Sequence, residues 1–250
     1  MSMTAHEQAL AVASDSTRDM TSQKIANLIG GFLLLEAALW TPKPYQTVLS
    51  FLTLAYVIAS VVWRGHSVVE IGLSPRFLRR GWRALIAALG LCALMLVVAW
   101  WIGTLHIVPR ANGMIAGALL YLVWSLEQEF MLQAFFFLGL KPFVGTRTAL
   151  VSSAVLFGIA HLPNPILTVA TLLGGIFFTA VFARYQNLAV VAVVHALLGI
   201  TLAMTAPDSV NHHMRVGLGY LRHNVGIAPT QPPVPVEPRR ASFVGRDQFR

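Results

Sequence analysis

Glu127, Gln128, Glu129 and Gln133 fall within seven residues of an otherwise apolar stretch, YLVWSLEQEFMLQAFFF. Polar and ionisable side chains are costly inside such runs and normally face a protein interior or a wet cavity. A carboxylate held there can act as a general base on water. At 3.6 residues per turn Glu129 and Gln133 share one helix face, whereas Glu127 points about 200° away from Glu129. Only one of the two glutamates can face a given cavity.

Two histidines supply the remaining chemistry. His161 ends the run VLFGIAHLPNP, with Phe157 one turn before it and Pro163 and Pro165 after it. Proline lacks the amide hydrogen and clashes with the preceding turn, so the helix must end near Leu162 and leave carbonyls free beside His161 and Asn164. His195 is flanked by apolar residues in NLAVVAVVHALLGITL. Counted at 1.5 Å per residue from the basic ends at Lys141, Arg147 and Arg184, Glu129 lies about 18 Å deep, His161 about 21 Å and His195 about 17 Å. A carboxylate and two imidazoles brought to one depth by three helices form a candidate buried acid/base site. The same trio is also an ordinary zinc or iron ligand set. In a transporter it would serve as a proton relay, although the two halves of the chain show no obvious repeat. Cys92 is the single cysteine and lies in an apolar run, so neither a disulfide framework nor a cysteine-based zinc site is available.

The elements that must position these groups follow from composition. Hydrophobic residues make up 56% and charged residues 11% of the 250, and mean hydropathy is +0.67. With so little polar surface the chain cannot coat itself for water, which excludes a soluble enzyme and a disordered protein. Apolar runs at about 25–40, 46–63, 82–102, 114–138, 148–161, 166–183 and 188–206 compare with the roughly 20 residues that span a bilayer as helix. The expected fold is therefore all-α: a polytopic integral membrane protein of about seven transmembrane helices, or eight if an element within 209–225 also crosses. A polar cytoplasmic tail is expected at 1–22, a helical transmembrane domain at 23–225 with its motif-bearing core at about 114–206, and a Pro-rich, basic, disordered tail at 226–250. The net charge of +8 sits mainly in connectors and the tail, which suits membrane anchoring and not nucleic-acid binding. Arg64, Arg76, Arg79, Arg80, Arg83, Lys141, Arg147 and Arg184 mark alternate connectors, and retention of such residues inside places the N-terminus in the cytoplasm.

On these residues the chain resembles the CPBP family of intramembrane glutamic proteases, which includes type II CAAX prenyl endopeptidases and bacterial relatives labelled abortive-infection or bacteriocin-processing proteins. The family pattern is Glu-Glu-x-x-x-Arg, then Phe-x-x-x-His, then His-x-x-x-Asn, on successive transmembrane helices. Gln128, Glu129 and Gln133 occupy the first motif, Phe157 and His161 match the second, and His195 with Gly199 occupies the third. Gln thus replaces the first Glu and the Arg, and Gly199 stands where an Asn would help bind an oxyanion. A register led by Glu127 puts Gln128 and Leu132 at the second Glu and the Arg, a poorer fit.

The resemblance covers about residues 65–206, with 70–82 similar to a short amphipathic element. It implies peptide-bond hydrolysis in a bacterial cytoplasmic membrane, without metal or cofactor, on a membrane-associated protein or peptide. Glu129 with His161 would hold and deprotonate a water. His195 would donate to the oxyanion, with Asn164 replacing the lost amide. Gln133 would brace Glu129, with Glu127, Gln128 and Phe157 in support.

A reporter fused at Ser74 should be active only on the cytoplasmic side. Activity confined to the outer side would overturn both the orientation and the common depth counted from it.

Overall fold

The computed structural model describes residues 5–74, 81–106 and 113–224, and within them the side chains of 19–74, 81–106 and 113–222. Every regular element among the described residues is helical, in agreement with the expected all-α fold. The body consists of α1 (Ala5–Leu39), α2 (Tyr45–Trp63), α3 (Trp82–Trp101), α4 (Met114–Glu129), a π-helical segment (Phe130–Phe137), α5 (Leu138–Ile159), α6 (Pro165–Tyr185) and α7 (Leu188–Thr205). Two short helices follow, α8 (Asp208–Asn211) and α9 (Gly217–Asn224).

Five helical stretches among the described residues are long and apolar enough to cross a membrane: Tyr45–Trp63, Trp82–Trp101, Met114–Ile159, Pro165–Tyr185 and Leu188–Thr205. The count of about seven is not reproduced. The run at 25–40 is the end of α1, where Asn27 and Glu36 dilute the apolar content. The runs at 114–138 and 148–161 are two helical pieces that meet at a kink, where Gly145 takes φ 75° and ψ 167°. The candidate eighth element is present as α8 and α9, whose 4 and 8 residues cannot span about 30 Å of hydrocarbon. The N-terminal segment expected as a loose tail is helical from Ala5 and runs without a break into the first apolar stretch. The connector over 70–82 is turned at Glu70–Gly72 and lies outside the described residues at 75–80, as does the expected Pro-rich tail at 226–250.

Apolar residues dominate both the inside and the outside. Phe135, Phe137, Phe182, Leu132 and Val191 are fully buried, while Leu94, Val97 and Trp101 on α3 and Ile115, Leu119 and Val123 on α4 are exposed. Such an exterior suits lipid and not water. Asparagines begin the two helices that carry the site's far wall. The Asn164 side chain accepts from Leu167 N at 3.1 Å, with Pro165 opening α6, and the Asn187 side chain accepts from Val190 N at 3.1 Å at the start of α7. Each supplies an acceptor for an otherwise unpaired amide of the first turn.

Connectors gather at two ends. Leu188 N donates to Gly72 O at 3.0 Å, so the turn between α6 and α7 lies against the connector after α2. Lys141 is near enough to help Ser67 hold the Glu70 carboxyl below its ordinary range, the Ser67 hydrogen bonds being the larger cause. At the opposite end His106 N donates to Met204 O, and Gly217 N donates to Leu162 O. The basic connectors therefore share one end of the bundle.

Next to that end Arg64 ties three elements together. Its Nη1 donates to Phe135 O at 2.7 Å, its Nη2 to Asn27 Oδ1 at 2.6 Å, and the guanidinium lies 4.5 Å from the centre of the Phe135 ring. Asn27 in turn donates to Tyr56 and Ser60 on α2. Desolvation lowers the Arg64 pKa to about 10, which still leaves it charged at neutral pH. A Cβ at Gly139 would collide with Nη1 and crowd Leu28, so the guanidinium would have to shift to admit one. The acceptor, Phe135 O, belongs to the π-helical segment, whose wider turns disturb the regular backbone ladder.

Arg64→Leu strands the Phe135 carbonyl and Asn27, and should cost about 2 to 4 kcal/mol, as hydrogen bonds to a charged group are each worth about 1.5 to 3 kcal/mol. Gly139→Ala should lower stability in the same direction by displacing Nη1. Unfolding midpoints in detergent check both, and an unchanged midpoint for Arg64→Leu would contradict the role given to this arginine.

Candidate active site

α4 ends at Glu129, which has no solvent exposure. Its two oxygens have separate partners. Gln133, one turn further along in the π-helical segment, donates from Nε2 to Oε2 at 2.9 Å, and His195 Nδ1 of α7 lies 2.8 Å from Oε1. α4 and α7 pack against each other, which is what lets residues 66 apart in sequence meet. A carboxylate only accepts, so Nδ1 carries the hydrogen and the Nε2 lone pair of His195 points away from Glu129.

Aromatic rings fix the imidazole. Phe178 of α6 stacks on His195 with centroids 4.9 Å apart and planes inclined by 14°, and Phe157 of α5 meets it edge-on at 5.9 Å. Phe157 also meets His161 edge-on at 4.8 Å, and its carbonyl lies 2.7 Å from His161 Nδ1. Because a carbonyl can only accept, His161 too is held with its hydrogen on Nδ1 and a lone pair on Nε2. Two imidazoles thus have their Nδ1 atoms tied back and their Nε2 lone pairs available.

Both histidines line a pocket of about 480 Å³ between α3, α4, α6, α7 and the segment before α9. Its walls are mainly apolar, with Leu91 and Met95 from α3, Leu173 and Phe177 from α6, and Met214 and Val216 closing one side. α4 contributes Tyr121, Trp124 and Gln128, and α7 contributes His195, Leu198 and Gly199. Such a pocket, apolar with a few convergent polar groups, suits an apolar ligand with polar atoms that can meet Gln128, His161 and His195.

Glu129, His161 and His195 are expected in one layer; Glu129 touches His195, and His161 lines the same pocket as His195. Their pairing differs in one respect, since Glu129 hydrogen-bonds His195 and no hydrogen bond joins it to His161. Gln133 braces Glu129 in the expected way. Phe157 contributes its ring and carbonyl. Glu127 is half-buried on another face and does not line the pocket, whereas Gln128 does.

Asn164 requires correction. Its amide nitrogen donates to Asn211 O at 2.7 Å and Arg215 O at 3.1 Å while its oxygen caps α6, and it is fully buried. Every group that could bind an oxyanion is already committed to holding the segment around 211–215 against α6. Among the described residues no three of His, Cys, Asp and Glu converge as a metal-holding group.

Tyr121, Trp124 and Phe178 are the site residues that motif reading misses. The first two were legible, since 121, 124 and 128 recur at helical spacing on one face that ends at a motif position. Phe178 carries no such signal, because stacking on His195 depends on how α6 rotates against α7.

Residues 110–201 match the family model described as Type II CAAX prenyl endopeptidase Rce1-like. The stretch holds all three motifs and agrees with the resemblance they carry, to a family of membrane peptidases. No curated protein and no solved structure matches the chain.

Proposed function

We propose that the chain is an intramembrane endopeptidase that hydrolyses a peptide bond of a membrane-associated protein or peptide, using a water activated by the Glu129–His195 pair. The observation that carries this reading is the 2.8 Å contact between the two residues at the wall of an apolar pocket. Glu129 has both oxygens engaged and no exposure, so it acts through His195 and not on the water itself. His195 Nε2 takes the proton, and the buried carboxylate stabilises the imidazolium that forms. His161 Nε2, facing the same pocket, accepts the second hydrogen of the water and aims its oxygen.

In this scheme catalysis depends on Glu129 through His195, the water lies between two imidazoles, and no step calls on a metal. The helical membrane domain within 23–225 lies in a bacterial cytoplasmic membrane, and the end that gathers Arg64, Lys141 and Arg184 faces the cytoplasm, where Lys and Arg are retained.

Glu129→Gln removes the negative charge that would stabilise a protonated His195. The rate should fall by about 10² to 10⁴, the usual range for loss of general-base action. His161→Ala and His195→Ala should fall comparably, and Glu127→Gln should be milder. The full chain in liposomes of phosphatidylethanolamine and phosphatidylglycerol would be given a peptide library cut from membrane-protein segments, and new termini read by mass spectrometry. Chelators should leave cleavage unchanged. Retained cleavage in both glutamate variants would remove the reading, and inhibition by chelator reversed by zinc would replace it with a metal-dependent one.

A further inference from the structure

Two of the residues that line the pocket, Met214 and Val216, lie beyond residue 201, where the match to the family model ends. The chain that carries them, 207–216, runs from the end of α7 to α9 as a strap against the turn that follows His161. Asn164 Nδ2 donates to Asn211 O at 2.7 Å and to Arg215 O at 3.1 Å, and Gly217 N donates to Leu162 O at 2.8 Å. Met214 and Val216 flank Arg215, so each neighbours a residue tied to Asn164, three positions after His161.

The backbone of the strap is held where side chains rarely go. His212, His213 and Met214 take φ of 52°, 54° and 57°, three left-handed residues in succession of which none is glycine. Asn211 ties this turn from within, its Nδ2 donating to Ala206 O at 2.9 Å and its Oδ1 accepting from Met214 N at 3.2 Å. Strained backbone persists only where its surroundings over-determine it, and it gathers at active sites and ligand clamps. Glycine at 214 would relieve the strain, but it would take from the pocket the side chain that Met214 places in its wall.

We propose that Met214 and Val216 are specificity-determining residues: the strap holds them as the pocket wall on the side of the His161 turn, and their bulk sets the size of the substrate side chain accepted next to the cleaved bond. The inference rests on the peptidase reading and deepens it. His161 and His195 line the same pocket, so a peptide that reacts there must lay the residues flanking its reacting bond along the pocket walls. The wall that the strap supplies is apolar, pinned by hydrogen bonds and unable to withdraw without breaking them. The substrate class is an apolar segment with a size limit at one position beside the cleaved bond.

The test uses the full chain in the same liposomes, on versions of the library peptide that the natural sequence cleaves best, carrying Ala, Leu or Phe at each residue flanking the cleaved bond. Met214→Ala empties part of the wall and should raise kcat/KM for Phe relative to Ala at one flanking position by at least about tenfold, the scale on which hydrophobic pockets sort side chains by size. Val216→Ala should shift the ratio in the same sense. Val216 lies outside the left-handed stretch, so this variant carries the test if Met214→Ala is not recovered folded. A strap with a merely structural role would instead lower kcat/KM for every peptide alike. Ratios that move by less than tenfold in both variants, a uniform fall included, overturn the assignment, while an inactive His195→Ala leaves the peptidase reading standing. Absence of cleavage by the natural sequence, or cleavage by His195→Ala at the normal rate, overturns the peptidase reading and this inference with it.

Discussion

A carboxylate with no exposure inside a bundle of apolar helices is tolerable only if its oxygens find donors, because an unpaired buried charge costs roughly 3 to 5 kcal/mol. Glu129 meets that demand with Gln133 from its own helix and His195 from α7. The constraint runs through the rest of the molecule. It fixes how far α4 is rotated against α7, and so turns Gln128, its neighbour, to the pocket. It also fixes which nitrogen of His195 carries the hydrogen, and so leaves the other one for chemistry.

The π-helical segment directly after Glu129 is the second half of the same constraint. Its residues are mostly fully buried, and it contains both Gln133 and Phe135. Insertions of this kind disturb the backbone ladder and recur at functional sites. Here Arg64 takes up the Phe135 carbonyl from outside the helix, with Gly139 cleared of any side chain to let it approach. A cation half-buried among neutral acceptors at one end thus supports an anion buried among neutral and imidazole donors deeper in the bundle.

Much of this was legible in the residues. Apolar runs bounded by arginines gave an all-helical membrane chain, and counting residues from basic ends brought Glu129, His161 and His195 to one layer, because rise per residue is constant in a helix. Length counting failed where helices do not end at a charged boundary. The helix after the run at 114–138 goes on through a π-helical segment to a kink at Gly145, and α1 extends well before its apolar part. Asn164 is expected as a supporting donor because it follows the Pro163 turn. Its capping of α6 is a local pattern, but its bonds to 211 and 215 reach 47 and 51 residues along the chain, which no local pattern reveals. Likewise the lack of a side chain at Gly199 reads as a loss in one dimension, and only packing shows Tyr121 in its place.

The Glu129 carboxylate accepts from His195 Nδ1 and so sets the tautomer of that imidazole. The most direct measurement is solid-state ¹⁵N NMR of the histidine-labelled chain in lipid at neutral pH, with His195 assigned by its loss in His195→Ala. A neutral His195 should show a hydrogen on Nδ1 and a bare Nε2 in the natural sequence. A hydrogen on Nε2 would contradict the pairing of Nδ1 with the Glu129 carboxylate.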